Sequence, residues 1–167
     1  MKDIKEQIEL YKKWRDVLQY GSFYRGRTGP NTYEWTCVSE DKKKAVGMVL
    51  QVLVQPNTCF EQYQPMGLKP ESKYRFYNRQ LHFDLKSFGG LINHVAPIHI
   101  KQNSVLHNVA SAIVKMPGEV EDCVASGKLL MDGRVKLKQG FAATGYADDV
   151  RFFQDFASRM YFMEEIE

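Results

Sequence analysis

The chain has 167 residues, of which 44% are hydrophobic and 13% aromatic, and its formal net charge is +3. This composition is typical of one packed globular domain and excludes a disordered chain. Lysine and arginine are scattered among aspartate and glutamate, so we expect neither nucleic acid nor an anionic membrane as a partner. The basic run Lys42-Lys43-Lys44 follows Glu40-Asp41 and is predicted to lie in an exposed turn.

Cysteine usage and hydropathy give an expectation for the compartment. Cys37, Cys59 and Cys123 are widely spaced and odd in number, which argues against a disulfide framework and for a reducing, cytoplasmic location. The charged N-terminus lacks the apolar core of a signal peptide. The longest apolar stretch, residues 45–54, is about half the length that a membrane-spanning helix needs.

The first residues predict one amphipathic helix, residues 3–18. Asp3 with Glu6 resembles a capping box, and Gly21 is a candidate stop signal. At about 100° per residue, seven apolar side chains share roughly half of the helix circumference: Ile4, Ile8, Leu10, Tyr11, Trp14, Val17 and Leu18. An arc this wide needs a broad apolar partner. We therefore expect it to fold back onto the rest of the chain or to bury against another copy.

After the helix the pattern changes to that of strands. Tyr33, Trp35 and Cys37 alternate with Glu34 and Thr36, which indicates a half-buried strand. Residues 45–54 predict a central strand, and the aromatic residues 155–163 predict a closing one. Turn signals recur between them, among them Pro117-Gly118, Ser126-Gly127 and Asp132-Gly133. The expected fold is all-β: an antiparallel, Greek-key-like β-sandwich with one N-terminal amphipathic helix and no further helix.

The spacing of the histidines and cysteines does not indicate a metal-binding or nucleophilic site. The four histidines lack the tight spacing of zinc ligands: His82, His94, His99 and His107. The cysteines are isolated, and no Cys/His nucleophile pair can be proposed from them. We therefore assign no metal-binding and no cofactor-binding residue, and we expect no cofactor.

Acidic clusters and aromatic rings are the remaining candidates for carbohydrate chemistry. Glycoside hydrolysis needs two facing carboxyl groups, whereas neighbours in a strand point to opposite faces. The clusters Glu119/Glu121/Asp122, Asp148-Asp149 and Glu164-Glu165 are therefore predicted to be solvent-exposed turn charges. Trp14 and Trp35 could stack on sugar rings, but both lie on predicted apolar faces and are interpreted as core residues.

Four segments, in the right order along the chain, resemble the end of family 36 glycoside hydrolases, the retaining α-galactosidases. Residues 11–25, YKKWRDVLQYGSFYR, are similar to the last helix of the family's catalytic barrel and its exit segment. Three later segments resemble motifs of its C-terminal β-sandwich: PMGLKPESKYR at 65–75, GKLLMDG at 127–133 and SRMY at 158–161. Lys128 replaces the family's usual Asp, and Asp132-Gly133-Arg134 replaces its Asn-Ala-Gly.

The resemblance implies that residues 1–25 end a truncated catalytic barrel and that residues 26–167 are the C-terminal β-sandwich. The family's two catalytic aspartates lie at the ends of barrel strands, so no catalytic residue is assigned here. Lys13-Trp14-Arg15-Asp16 superficially resembles the family's Lys-Trp-Asp nucleophile motif, but Asp16 falls on the polar face of a helix. We expect this chain to be an inactive fragment, and we expect the catalytic barrel of the parent protein to act on galactoside substrates.

Two alternatives and one open question accompany this expectation. The chain could be an independent carbohydrate-binding module, which would need exposed aromatic rings on one face, or the same domain of an α-galactosyl transferase. The expected partner is the catalytic barrel of the same chain, and a homo-oligomer is left open.

Overall fold

A computed structural model describes residues 2–26, 29–53, 62–84, 93, 99–101, 103–138 and 155–166. Its strands and helices follow in chain order: α1 (Lys2–Tyr20), β1 (Ser22–Arg25), β2 (Thr32–Val38), β3 (Lys44–Gln51), β4 (Gln62–Tyr63), β5 (Lys73–Asn78), β6 (His82–Asp84), α2 (Val105–Ile113), β7 (Lys115–Pro117), β8 (Asp122–Ser126), α3 (Gly127–Gly133), β9 (Val135–Lys136) and β10 (Ala157–Ile166).

Six strands form one large antiparallel sheet in the order β1-β2-β3-β10-β5-β8, and two short sheets pair β4 with β9 and β6 with β7. β3 lies between β2 and β10, which confirms the predicted central strand. β10 joins the two halves of the sheet, with Met160 opposite Met48 and Glu164 opposite Arg75. The predicted closing strand is therefore confirmed, at the centre of the sheet.

One face of the large sheet carries the main core beneath the short β4-β9 sheet. Tyr63 of β4 lies against Tyr161 of β10 with ring centroids 5.5 Å apart, and Phe76 stacks on Tyr161 at 5.2 Å. The Tyr63 ring passes over Gly47 of β3, where a Cβ would lie 2.0 Å from the Tyr63 hydroxyl oxygen. These two β layers, packed face to face, confirm the antiparallel sandwich class.

Helix α1 covers part of the opposite face. Trp14 and Val17 pack against Cys37, Val46 and Phe162, and the Trp14 and Phe162 rings stack at 4.9 Å. The helix thus folds back onto the sheet through Trp14 and Leu10, whereas Ile4, Ile8 and Tyr11, which we also expected to be covered, are exposed. It begins at Lys2, one residue before the predicted cap, and Gly21 N–H donates to Val17 O at the predicted stop.

The expectation of one helix is wrong, because α2 and α3 also form. In each, a serine hydroxyl caps the N-terminus: Ser104 accepts from His107 N–H, and Ser126 accepts from Leu129 N–H. The turn signals at residues 126–127 and 132–133 in fact mark the two ends of α3. In helix α2 the buried residues are polar, His107 and Ser111, while its large apolar side chains are exposed.

The polarity of β2 also departs from the prediction. Glu34 and Thr36, expected on the outer face, are buried, whereas Tyr33 is exposed. Each buried polar group has a specific partner: Gln64 N–H donates to Glu34 Oε2 at 3.1 Å, and Thr36 Oγ1 lies 2.6 Å from Tyr63 Oη. Alternation identified the strand, but these tertiary hydrogen bonds decided which of its faces is buried.

Candidate functional site

The histidines and cysteines of the described residues do not converge. His82 and His99 are exposed, whereas His107 is buried in α2. Within this part of the chain no group of three or more His, Cys, Asp or Glu side chains could hold a metal ion. Burial raises the pKa of Cys37, whose thiol donates to Val17 O, so this thiol is a packing group. His94 and Cys59 lie outside the described residues.

The acidic cluster at 119–122 is not the solvated turn that we predicted. Glu119 is buried and paired with Arg159 of β10, and Glu121 is buried and accepts from Lys138 N–H. Burial raises the pKa of Glu121. Asp122 alone of the three is exposed, in a bidentate pair with Arg75. The two buried carboxylates connect the segment before β8 to Arg159 and Lys138, and these partners allow the carboxylates to be buried.

Glu164 and Glu165 are not the solvent-exposed turn charges that we predicted: they are half-buried residues of β10, and as neighbours in a strand they point to opposite faces. On the α1 side of the sheet, Lys13 Nζ lies 2.7 Å from Glu164 Oε1, and Tyr77 hydrogen-bonds to the same carboxylate. On the other side, Ser72 and Lys69 hold Glu165. Both carboxylates are engaged in separate structural contacts, so they do not form the facing pair that hydrolysis needs. Asp148-Asp149 lies outside the described residues.

One exposed apolar surface among the described residues lies on and beside α1, and another lies on α2, where Val105, Val109 and Ile113 are more than half exposed. Helix α1 leaves a stripe of Ile4, Ile8 and Tyr11 exposed by 59%, 47% and 50%, although Trp14 on the same helix is only 1% exposed. Phe23 and Tyr33 on β1 and β2 are also more than half exposed. Sequence periodicity found the helix stripe; it missed Phe23 and assigned Tyr33 to the buried side.

Two other sequence-predicted features lie where expected: Lys42 and Lys43 are exposed in the turn between β2 and β3, and Asp16 is exposed on α1. Trp35, which we interpreted as a core residue, is only half-buried and packs with Met160 around the Trp14 cluster. None of the described helices combines the length and the hydrophobicity that crossing a bilayer requires.

Comparison with known families gives a match over most of the chain. The family model described as the glycosyl hydrolase family 36 C-terminal domain matches residues 32–163. The bifunctional alpha-galactosidase/sucrose kinase AgaSK of Mediterraneibacter gnavus is 32% identical over 74 residues, which are 42% of this chain and 8% of that protein. Alpha-galactosidase Mel36A of Lactobacillus acidophilus is 31% identical over 71 residues, 42% of this chain and 10% of that protein.

Solved structures extend the similarity to nearly the whole chain, including α1. The alpha-galactosidase from Lactobacillus brevis and alpha-galactosidase AgaA from Geobacillus stearothermophilus each match with a TM-score of 0.59 and 19% identity. Each match covers 99% of this chain and 16% of the solved chain. The similarity establishes the fold, and this chain spans only a small part of the proteins that it resembles.

Proposed function

Because this chain belongs to the family of glycosyl hydrolase family 36 C-terminal domains, we propose that it is the non-catalytic C-terminal domain of an α-galactosidase. The parent polypeptide hydrolyses terminal α-D-galactosyl residues of oligosaccharides. The family match over residues 32–163 is the observation that carries this proposal. Both relatives named above are themselves called alpha-galactosidases, which supports the same activity for the parent.

The chemistry belongs to the catalytic region rather than to this chain. Retaining glycosidases place two carboxyl groups about 5 Å apart, and barrel enzymes carry such groups at the ends of barrel strands. In this chain Glu119 forms an ion pair with Arg159, and Glu164 and Glu165 lie on opposite faces of the sheet. These contacts support a structural role for each carboxylate, and we propose no catalytic, metal-binding or cofactor-binding residue here.

Within this proposal, residues 1–25 are the last barrel helix with its exit segment, and residues 26–167 are the C-terminal β-sandwich. β1, at the end of the first segment, pairs with β2 of the second. The parent acts in the carbohydrate metabolism of the cytoplasm, with galactosides as substrates and with neither nucleic acid nor membrane as a partner. A homo-oligomer remains compatible with the proposal.

The activity is tested with 4-nitrophenyl α-galactoside on two preparations from a host that lacks α-galactosidase. One is the 167-residue chain, and the other is the longer polypeptide that contains it. We expect 4-nitrophenol only from the longer polypeptide and none from the β-galactoside control. Release by the short chain would overturn its non-catalytic role, and inactivity of the longer polypeptide would overturn the assigned activity. The first product is α-galactose if the reaction retains configuration, which NMR of the fresh hydrolysate detects.

A further inference from the structure

Strand β8 forms one edge of the six-stranded sheet, next to β5. In an antiparallel pair, alternate residues direct their backbone groups towards the neighbouring strand. Asn78 N–H donates to Glu121 O at 3.3 Å, and Gly127 N–H donates to Ser72 O at 2.8 Å. The odd-numbered residues of β8 are therefore the ones that bond to β5. The others direct their backbone N–H and C=O groups away from the sheet: Asp122, Val124 and Ser126.

β8 lacks the features with which proteins usually prevent the pairing of an edge strand. Protected edges commonly carry lysine, proline or a bulge. The sequence of β8, DCVAS, contains neither lysine nor proline, and its ladder with β5 is unbroken. Val124 is 55% exposed, and the charge of Asp122 is compensated by a bidentate pair with Arg75. Within the described part of the chain no strand pairs with the outer side of β8, so this side is open to another extended strand.

The outer side of β8 is complementary to itself in the antiparallel orientation. With a two-fold axis at Val124, each Val124 faces Val124 of the second copy, and the two residues exchange both backbone hydrogen bonds. Asp122 then faces the second copy's Ser126, whose neighbour on β5 is the exposed Lys73. Because strands lie about 4.8 Å apart, Asp122 and the second copy's Lys73 are about 10 Å apart at the backbone, which their two side chains can span. Opposite residues share a face, so valine meets valine and aspartate approaches lysine.

We propose that β8 pairs antiparallel with β8 of a second copy of this chain, about a two-fold axis at Val124, and joins two six-stranded sheets into one. The open backbone groups, the contact between the two valines and the opposite charges at each end of the strand favour a second copy over an unrelated strand. None of these contacts depends on the catalytic activity proposed above. A ladder this short buries little surface, so we expect a weak dimer with a Kd between about 10 µM and about 1 mM.

Sedimentation velocity of the 167-residue chain, at concentrations up to about 1 mM, tests the association. We expect a reversible equilibrium between monomer and dimer. Val124→Lys should raise the Kd at least about tenfold, because two like charges would then face each other across the axis. The charge-matched control Leu129→Lys, at a side chain 60% exposed on α3, should leave the Kd unchanged. Circular dichroism verifies that both variants fold. A chain that is monomeric at every concentration, or a dimer that survives Val124→Lys, would overturn the proposal.

The exposed apolar side of α1 is the competing contact in this short chain. Ile8 on that side is 47% exposed, so Ile8→Lys places a charge there without disturbing the core. We expect Ile8→Lys to leave the Kd unchanged, because α1 takes no part in the pairing of β8. A dimer that is lost in Ile8→Lys but kept in Val124→Lys would place the contact on α1 and overturn the proposal.

Disulfide cross-linking tests the register, both in the 167-residue chain and in the longer polypeptide that contains it. Opposite residues in a hydrogen-bonded antiparallel pair have Cα atoms about 5.5 Å apart, which a disulfide spans. Diagonal neighbours are about 7–8 Å apart, which is too far. Val124→Cys, with Cys59 and Cys123 replaced by serine, should therefore form a covalent dimer when oxidised glutathione accepts the two electrons and is reduced to two thiols.

The matched control keeps Val124 and Cys123 and carries only Cys59→Ser. Its Cys123 faces the second copy's Ala125, so it should stay monomeric on a denaturing gel. No cross-link in Val124→Cys, or a cross-link through Cys123, would overturn the axis at Val124. A cross-link in the short chain alone would assign this edge of the longer polypeptide to another segment of the same polypeptide and would overturn the dimer.

Discussion

Replacing Trp14 by alanine tests how strongly α1 is held on the sheet. The side chain is almost fully buried and stacks on Phe162 at 4.9 Å. A buried tryptophan removes about 200 Å² from water, worth about 5 kcal/mol at 25 cal/mol per Å². This figure is an upper bound, because the unfolded chain already shields part of the area. We expect Trp14→Ala to lower the free energy of unfolding by about 4 kcal/mol, within the range usual for such truncations.

The assay is urea denaturation of the 167-residue chain, followed by far-ultraviolet circular dichroism. The matched control is Ile4→Ala on the same helix, which should cost less than about 1 kcal/mol because Ile4 is mostly exposed. If the variant releases α1 before the sheet unfolds, the m-value should also change, since less surface remains to be exposed. A loss below about 1 kcal/mol for Trp14→Ala, or equal losses for the two variants, would refute the packing described for α1.

Three further changes probe the interior and its charges. Gly47→Ala should cost at least about 2 kcal/mol in a denaturation experiment, because its Cβ would overlap the buried Tyr63 ring; a neutral result would contradict this packing. Burial raises the pKa of Glu34, so the folded protein binds this proton more tightly and stability falls as pH rises above the unfolded value of about 4.5. Glu34→Gln should reduce that slope in urea midpoints measured between about pH 4 and about pH 8, whereas an unchanged slope would exclude Glu34 as its source. The hydrogen bond to Glu164 raises the pKa of Lys13. Burial alone would raise the pKa of Glu164, but the contact with Lys13 outweighs burial, so the pKa of Glu164 is lowered. The ion pair therefore stabilises the folded protein at any pH between the pKa of Glu164 and the pKa of Lys13. Its contribution is lost as pH falls through the pKa of Glu164 or rises through that of Lys13. Lys13→Met should cost only about 0.5 kcal/mol because Lys13 is half exposed, and the loss should vanish in about 1 M NaCl; a salt-independent loss would point to packing instead.

Short-range patterns in the sequence were sufficient to predict the long helix and the long strands. The wide apolar arc of α1, the central β3 and the aromatic β10 were each predicted within a few residues of their observed ends. Motifs quoted from the chain also led to the correct family. These features depend on the periodicity of helices and strands and on local turn chemistry, which neighbouring residues determine.

Long-range contacts determine which faces are buried and which polar groups lie in the interior. Glu34, Glu119 and Glu121 are read from sequence as surface charges, yet contacts from residues 17 to 40 positions away place them in the interior. In helix α2 the buried residues are His107 and Ser111 rather than the apolar ones, which periodicity does not reveal. The apolar arc of α1, which is visible in the sequence, already requires a broad apolar partner. The fold decided that the sheet covers only the Trp14 side, because a single layer can bury only one side of so wide an arc.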